Sequence, residues 1–151
     1  MNYQTTIAEK FSEFNPDHRK VLGEILKNYN QAAMKGFNTS RVVEIVVKNE
    51  KEEVIGGLYA WAFWGWLYVD WLIVHEDYRH QGIGRELMQQ AEEKALELKV
   101  PKIRLNTFEF QAPDFYKKLG YEVVAIEEDY PQGFKTYYLQ KFLVEEEEKQ
   151  T

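Results

Sequence analysis

The chain has 151 residues, a length typical of one domain, and carries a formal net charge of −6. It contains no cysteine, which excludes disulfides, thiolate metal sites and a cysteine nucleophile and is compatible with a cytoplasmic protein; we expect no metal. An acidic chain disfavours binding to nucleic acid, which needs a basic face, so we expect no nucleic acid as a partner. The longest uncharged run, residues 56–69, is shorter than the roughly 18 residues of a membrane span, so we expect no membrane as a partner either.

Helical periodicity in residues 15–36 predicts a first helix. Asn15 can cap it, Pro16 suits the first helical position and Gly36 is a plausible end. The later elements are identified by a change of period and by turn residues. In chain order they are two strands in residues 41–63, a strand in 66–75, a helix from Gly82 to about Lys99, a strand in 102–108, a short helix in 111–120, and strands in 121–128 and 134–143.

This order of elements predicts an α/β (α+β) fold. We expect a mixed, mostly antiparallel twisted sheet of about six to seven strands, flanked by helices in a single domain of residues 1–144. Residues 145–151 form an acidic tail, which is typical of a solvated terminus.

The segment RHQGIG, residues 79–84, lies between an apolar strand and a helix. The first N–H groups of a helix have no partner within it, and glycines at 82 and 84 allow a ligand to approach the backbone. Together with Arg79 this predicts a site for a phosphate or pyrophosphate. On this segment alone, a tight turn with incidental glycines is the alternative. The G-x-x-x-x-G-K-[ST] spacing of a P-loop is absent, and the third glycine of a dinucleotide fingerprint is missing, because position 87 is Leu.

Two motifs together resemble the acetyl-coenzyme A site of the GNAT N-acetyltransferase superfamily. The first is Arg/Gln-x-x-Gly-x-Gly/Ala after an apolar strand, matched by Arg79, Gly82 and Gly84. The second is APDFYKKLGY, residues 112–121, which matches the family pattern with a tyrosine at Tyr116. The resemblance covers about residues 40–142 and implies the GNAT fold with acetyl-CoA as cofactor.

The resemblance also implies which residues hold acetyl-CoA. The backbone of the apolar triplet would pair with the pantetheine arm like an added strand, and the following loop would hold the pyrophosphate. The amine would attack the thioester directly, without an enzyme nucleophile, and a strand amide near Val74 would donate to the developing oxyanion. The implied contacts are Leu72, Ile73 and Val74 for the arm, and Arg79, His80, Gln81, Gly82, Ile83, Gly84 and Arg85 for the phosphates.

Two side chains are candidates for proton transfer. By the resemblance, Tyr116 donates to the departing thiolate, and an ordinary tyrosine pKa near 10 suits that role; the alternative is a core aromatic. Asp70 is a carboxylate within an apolar strand, where burial would raise its pKa and make it a base. The alternative for Asp70 is a structural carboxylate. Glu109 stands where the family often has Asn, which puts that cofactor contact in doubt and offers another acidic group.

Six aromatic side chains are crowded into residues 61–71, more than strand alternation can bury on one face. Trp61, Trp64 and Trp66, with Glu109, are candidates for binding the acceptor; core packing and a homodimer contact are the alternative. We expect transfer to a primary amine of a small molecule. A protein N-terminus or lysine, or a non-catalytic CoA-binding module, are the alternatives.

Overall fold

The computed structural model describes residues 4–34 and 40–143, which belong to two units, Met1–Asn38 and Thr39–Thr151. In the first unit a 3-10 turn, Phe11–Glu13, precedes helix α1, Pro16–Ala33. Asn15 caps α1 as predicted, because its side-chain oxygen accepts the N–H of Asp17 at 2.9 Å. The predicted stop at Gly36 and the acidic tail, residues 145–151, lie outside the described residues.

Within its described residues, 40–143, the second unit contains six strands and two α-helices in the order that the sequence predicts, with a 3-10 turn, Glu76–Tyr78, before the second α-helix of the chain. The strands form one sheet in the order β1-β2-β3-β4-β6-β5, in which every neighbouring pair is antiparallel except β3 and β4. The predicted mostly antiparallel sheet is therefore confirmed. The elements are β1 Arg41–Lys48, β2 Val54–Phe63, β3 Trp66–Val74, α2 Ile83–Glu97, β4 Lys102–Phe108, α3 Pro113–Lys118, β5 Glu122–Glu127 and β6 Thr136–Phe142.

The core lies between the sheet and α2. Apolar residues of α2 recur at helical spacing and are fully buried, among them Leu87 and Ala91, and they meet inward-facing strand residues such as Leu67 and Ile103. We call this side of the sheet the inner face and the opposite side the outer face. Because strand side chains alternate, each strand places every second residue on each face.

The parallel pair β3 and β4 separates along its length. It is in register at three positions only, Leu67 with Ile103, Tyr68 with Arg104 and Val69 with Leu105. Beyond these pairs, β3 continues to Val74 beside β2, and β4 continues to Phe108 beside β6. We call the space between the two diverging ends the fork.

A β-bulge lies at the start of the fork. Tyr59 of β2 is opposite Trp71, whereas the next residue, Ala60, is opposite Val69, so Asp70 is the extra residue. The bulge shifts the alternation by one position. Val69 and Leu72 therefore both pack toward the core, and Trp71 lies on the outer face.

Candidate active site

The loop from β3 to α2 adopts an unusual backbone conformation at two positions. His80 has φ +62° and Gly82, the residue that precedes α2, has φ +86°. Left-handed residues in such a turn direct successive N–H groups toward one side, a geometry that binds anions. A Cβ built on Gly82 would meet nothing within 4 Å, so glycine is required here by its backbone angle and the space above it is open.

The N-terminus of α2 has no cap from a side chain. Within the part of the chain that the structure describes, no group accepts from the backbone N–H of Ile83, Gly84 or Arg85. These donors and the positive end of the helix dipole suit a phosphate. A Cβ on Gly84 would lie 3.4 Å from the ring of Phe115, a van der Waals contact, so Gly84 lies close to this ring of α3.

The side chains of the loop hold it to the end of β3. Arg79 donates from Nε to the carbonyl oxygen of Val74 at 3.0 Å. Gln81 donates to the carbonyl oxygen of Asp77 at 3.4 Å, and His75 accepts the N–H of Asp77 at its Nδ1 at 3.4 Å. The loop is therefore held in place by its own hydrogen bonds, and the remaining guanidinium N–H groups of Arg79 have no partner among the described residues.

The last residues of β3 form the edge of the fork. The N–H of His75 donates to the carbonyl oxygen of Ile55 on β2 at 2.8 Å. Because backbone groups alternate along an antiparallel strand, those of Leu72 and Val74 point away from β2 and into the fork. The side chains of Leu72 and Val74 pack against the core, whereas Ile73 is exposed on the outer face. This edge can pair with an extended chain.

Tyr116 has its ring in the core, with only 8% of the residue exposed. It packs edge to face against Phe115 and Tyr121, with ring centroids 5.1 and 6.0 Å apart. Burial raises the pKa of Tyr116 to about 12, so the predicted ordinary value near 10 is wrong. The Tyr116 hydroxyl forms no hydrogen bond with any described residue. Since every fully buried side-chain N or O atom of the described residues has a partner, the hydroxyl oxygen must be exposed to solvent.

Asp70 is exposed, and the prediction that it is buried is wrong. The sequence shows a carboxylate in an apolar strand, but the bulge moves this residue out of the alternation that would bury it. Its carboxylate forms no hydrogen bond or ion pair with any described residue. Its position directly after Val69, the last residue paired with β4, places it at the closed end of the fork. A role as base stays a prediction.

Two polar residues that the sequence analysis missed meet beside Asp70. The hydroxyl of Tyr68 donates to Oδ1 of Asn106 at 2.7 Å, across the closed end of the fork. The pKa of the Tyr68 hydroxyl is raised, first by burial and then by the negative charge of Asp70, with Arg104 opposing. No local pattern joins these residues, because they are distant in sequence and are neighbours only through the β3–β4 pairing.

Glu109 lies at the far end of β4 and stabilises a backbone connection. Its carboxylate accepts the N–H of Lys135 at 3.2 Å, and its own N–H donates to the carbonyl oxygen of Lys135 at 2.8 Å. This engagement favours a structural role over the predicted contact with an acceptor, which stays untested.

Comparison with known proteins agrees with this geometry. The model of the acetyltransferase (GNAT) domain matches residues 41–123, which is more than half of the chain and includes the fork and the loop before α2. The chain belongs to the GNAT family of acetyltransferases. The resemblance inferred from the two motifs is therefore confirmed, and the protein is an N-acetyltransferase.

Relatives of this acetyltransferase include enzymes named for small substrates. It is 39% identical over 95 residues to blasticidin-S acetyltransferase of Streptomyces morookaense, which covers 62% of this chain and 70% of that one. A solved acetyltransferase of Bacillus cereus superposes with a TM-score of 0.79 at 30% identity, covering 92% of this chain and 98% of that one. A Bacillus anthracis structure in complex with acetyl coenzyme A has a TM-score of 0.62 at 22% identity over 71% and 65% of the two chains, and shows the shared fold.

The aromatic side chains of this acetyltransferase separate into distinct groups. Trp61 packs against Tyr59, and Tyr59 against Trp71, with ring centroids 5.6 and 6.0 Å apart on the outer face; we call these three the aromatic row. Trp64 lies in the turn between β2 and β3, with φ +51°, as the predicted turn requires. Trp66, at the start of β3, packs on Phe142.

Distance along β3 separates two of the predicted acceptor residues from the fork. Trp66 precedes Asp70 by four residues and Trp64 by six, or about 13–20 Å at ~3.3 Å per strand residue. Trp66 lines a cavity of about 180 Å³ with Tyr68, Arg104 and Tyr138, and Tyr68 joins this cavity to the closed end of the fork. Of the three tryptophans, Trp61 belongs to the aromatic row, which reaches the fork. Acceptor contacts by Trp64 and Trp66 stay predictions that this placement does not support.

A second aromatic group, which the sequence analysis missed, lies on the other side of the fork. Phe108 at the end of β4 packs against Phe110 and Tyr130, and Phe110 against Phe134, with centroids 5.4, 6.3 and 4.9 Å apart. We call these four residues the aromatic loop cluster. The turn between β5 and β6 carries two of them, Tyr130 and Phe134.

Neither a membrane-spanning helix nor a metal-binding cluster is found among the described residues. Within residues 4–34 and 40–143, no helix is long and apolar enough to cross a bilayer. In the same ranges, no group of three or more histidine or acidic side chains is placed to hold a metal ion.

Proposed function

We propose that this acetyltransferase moves the acetyl group of acetyl-CoA directly to the primary amine of a small molecule. The observation that carries the proposal is the fork: a strand edge whose Leu72 and Val74 backbone groups face away from β2 leads into a loop whose N–H donors at the start of α2 have no partner among the described residues. An extended arm that ends in phosphates matches this combination of edge and loop. Neither half alone would distinguish acetyl-CoA from another anion.

The residues present fit acetyl-CoA at each part of the fork. Leu72 and Val74 would pair with the amide-bearing arm through their backbone groups, and Ile83, Gly84 and Arg85 would donate N–H groups to the phosphates. The open space above Gly82 leaves the loop accessible. When bound, acetyl-CoA supplies a thioester whose acetyl carbon accepts the lone pair of the amine. The fork-facing N–H of Leu72, which is nearer than Val74 to Asp70 and the closed end, could donate to the carbonyl oxygen, while the Leu72 carbonyl group and Val74 pair with the arm.

Tyr116 acts, in this proposal, as a hydrogen-bond donor to the departing sulfur. With a pKa of about 12 it is fully protonated at neutral pH. An ordinary thiol has a pKa of about 8.5, so complete transfer of the tyrosine proton would be uphill by about three to four units, on the order of 5 kcal/mol. Donating a hydrogen bond needs no such transfer, and the buried ring fixes the position of the hydroxyl. The physical cause, burial of the ring, thus favours stabilisation of the thiolate over its protonation by Tyr116.

Asp70 is proposed as the group that takes the proton of the amine. The amine must be neutral to attack, and an exposed carboxylate at the closed end of the fork can accept a proton directly or through water. The Tyr68 hydroxyl and Asn106 lie beside it and can orient a bound amine. The name of the Streptomyces relative supports a small-molecule acceptor and makes blasticidin S the first compound to test.

The test is turnover measured by thiol release, with the acetylated amine quantified by mass spectrometry. We expect thiol and acetylated blasticidin S, or another small amine, to form in equal amounts, and only when both substrates are present. Acetyl-CoA binding should be measured separately by thermal shift, with NAD and ATP as controls. Failure to bind acetyl-CoA would overturn the proposal. Acetylation of peptides but of no small amine would overturn the acceptor assignment and favour the protein-substrate alternative.

A further inference from the structure

We infer that the acceptor is a primary amine carrying a flat aromatic ring, which lies across the outer face of the fork between the aromatic row and the aromatic loop cluster. This inference rests on the proposed function and specifies its substrate class. The first step is the placement of the two groups on one face. Phe108 shares its face of β4 with Arg104 and Asn106, and both of these contact Tyr68 on the outer face.

The two aromatic groups flank the fork from opposite sides. Trp71 is on the β3 side, directly after Asp70, with 67% of the residue exposed. Phe110 follows the end of β4 on the other side and is 57% exposed. Exposed rings on both sides of one opening provide two faces for stacking, a geometry that suits a planar group.

The charges around this opening select a cation. Glu44 of β1 lies opposite Tyr59, which lies opposite Trp71, so one cross-strand row leads from a carboxylate to the fork. Glu44 and Asp70 are both exposed and form no ion pair with a described residue. Arg104 is held over the ring of Tyr68, 5.8 Å from its centroid. An ammonium is therefore attracted toward the carboxylates, and the faces of Trp61 and Trp71 add cation–π attraction.

The geometry positions the reacting atoms consistently. A ring held between the two aromatic groups places its amine toward Asp70 and the Tyr68–Asn106 pair at the closed end of the fork. In the transfer, a C–N bond forms as the C–S bond of acetyl-CoA breaks. Before this step the bound ammonium loses one proton to solvent, which gives the neutral amine that attacks. During the transfer the nitrogen loses a second proton to Asp70, and the thiolate receives one from solvent. No other reactant is needed.

The experiment compares three primary amines with saturating acetyl-CoA: phenethylamine, hexylamine and glucosamine. We expect kcat/KM for phenethylamine to exceed that for each of the other two by about tenfold. Trp71→Ala and Phe110→Ala should each raise KM for phenethylamine by about three- to tenfold, the range for loss of an aromatic contact, with little effect on kcat. Their effect on hexylamine should stay within about twofold, and Trp71→Phe should restore most of the loss.

Phe142→Ala is the matched control, because Phe142 is 55% exposed, close to Phe110, and packs on Trp66 away from the fork. It should leave all three amines unchanged. Equal efficiency for phenethylamine and hexylamine in the wild-type protein would overturn the inference, as would equal losses for both amines in Trp71→Ala. A change of oligomeric state in Trp71→Ala, with KM unaltered, would show a subunit interface instead. In each of these cases acetyl-CoA binding and turnover persist, so the proposed function survives; it fails only if they are absent.

Discussion

Replacing Gly82 by alanine tests whether the loop before α2 binds acetyl-CoA. The residue has φ +86°, where an L-residue is strained, and a Cβ there meets no protein atom within 4 Å. In the free protein the substitution therefore lowers the free energy of unfolding only through the strained backbone conformation, by about 1–2 kcal/mol. With acetyl-CoA, the added methyl group occupies the open space through which the phosphates would reach the N–H groups of α2.

The expected magnitudes separate these two effects. At a concentration 100 times its Kd, acetyl-CoA should stabilise the wild-type protein by about 2.7 kcal/mol. If the methyl group weakens binding about 100-fold, the same concentration equals the new Kd and the stabilisation falls to about 0.4 kcal/mol. Each kcal/mol shifts the melting temperature by about 2–4 °C in a chain of this size, so thermal unfolding with and without acetyl-CoA resolves the difference.

Gly133 provides a matched control in the turn between β5 and β6. It has the same φ of +86°, and a Cβ there also meets nothing within 4 Å. Gly133→Ala should lose the same stability yet keep the full stabilisation by acetyl-CoA. Gly82→Asn should retain most of the stability, because Asn tolerates this backbone region, but should still block binding. If Gly82→Ala and Gly82→Asn both kept a stabilisation near 2.7 kcal/mol, the phosphate-binding role of the loop would be refuted.

Two further predictions concern the proton-bearing residues. Tyr116→Phe should lower kcat by about 10- to 100-fold with little change in acetyl-CoA affinity, because it removes only a hydroxyl without a described partner; unchanged turnover would exclude the hydrogen bond to sulfur. The pKa of Tyr116 is about 12 in the folded protein and near 10 in the unfolded chain. Burial of the neutral ring therefore contributes stability that is complete below pH 10 and is lost as the pH rises toward 12. Tyr116→Phe should reduce this loss of stability at alkaline pH, as measured by unfolding at a series of pH values. Asp70→Asn should lower kcat/KM without destabilising the fold, and it should lower the Tyr68 pKa in a spectrophotometric titration, since the Asp70 charge helps to raise it. An unaltered pH–rate profile would leave Asp70 without a role as base.

Local signals in the sequence determined the elements and the loop. Asn15 and Pro16 mark the start of α1, Trp64 and Gly65 form the predicted turn, and Gly82 precedes α2 with the positive φ that glycine favours. These features depend on neighbours within a few residues, so periodicity and turn chemistry were sufficient. The family motifs added the cofactor and the enzyme class, which periodicity alone does not contain.

Only the tertiary structure decided how the site is assembled. Which strands become neighbours is a property of the whole sheet, so no local pattern shows that β3 and β4 separate after Val69 or that Tyr68 meets Asn106. The bulge at Asp70 also leaves no signal in the sequence, because apolar residues alternate normally on either side of it. It exposes a carboxylate that the sequence predicts to be buried. The sequence is limited in the same way for the aromatic residues. Their number indicates that some of them form a binding surface, but only strand pairing places Trp71 beside the fork and Trp64 far from it.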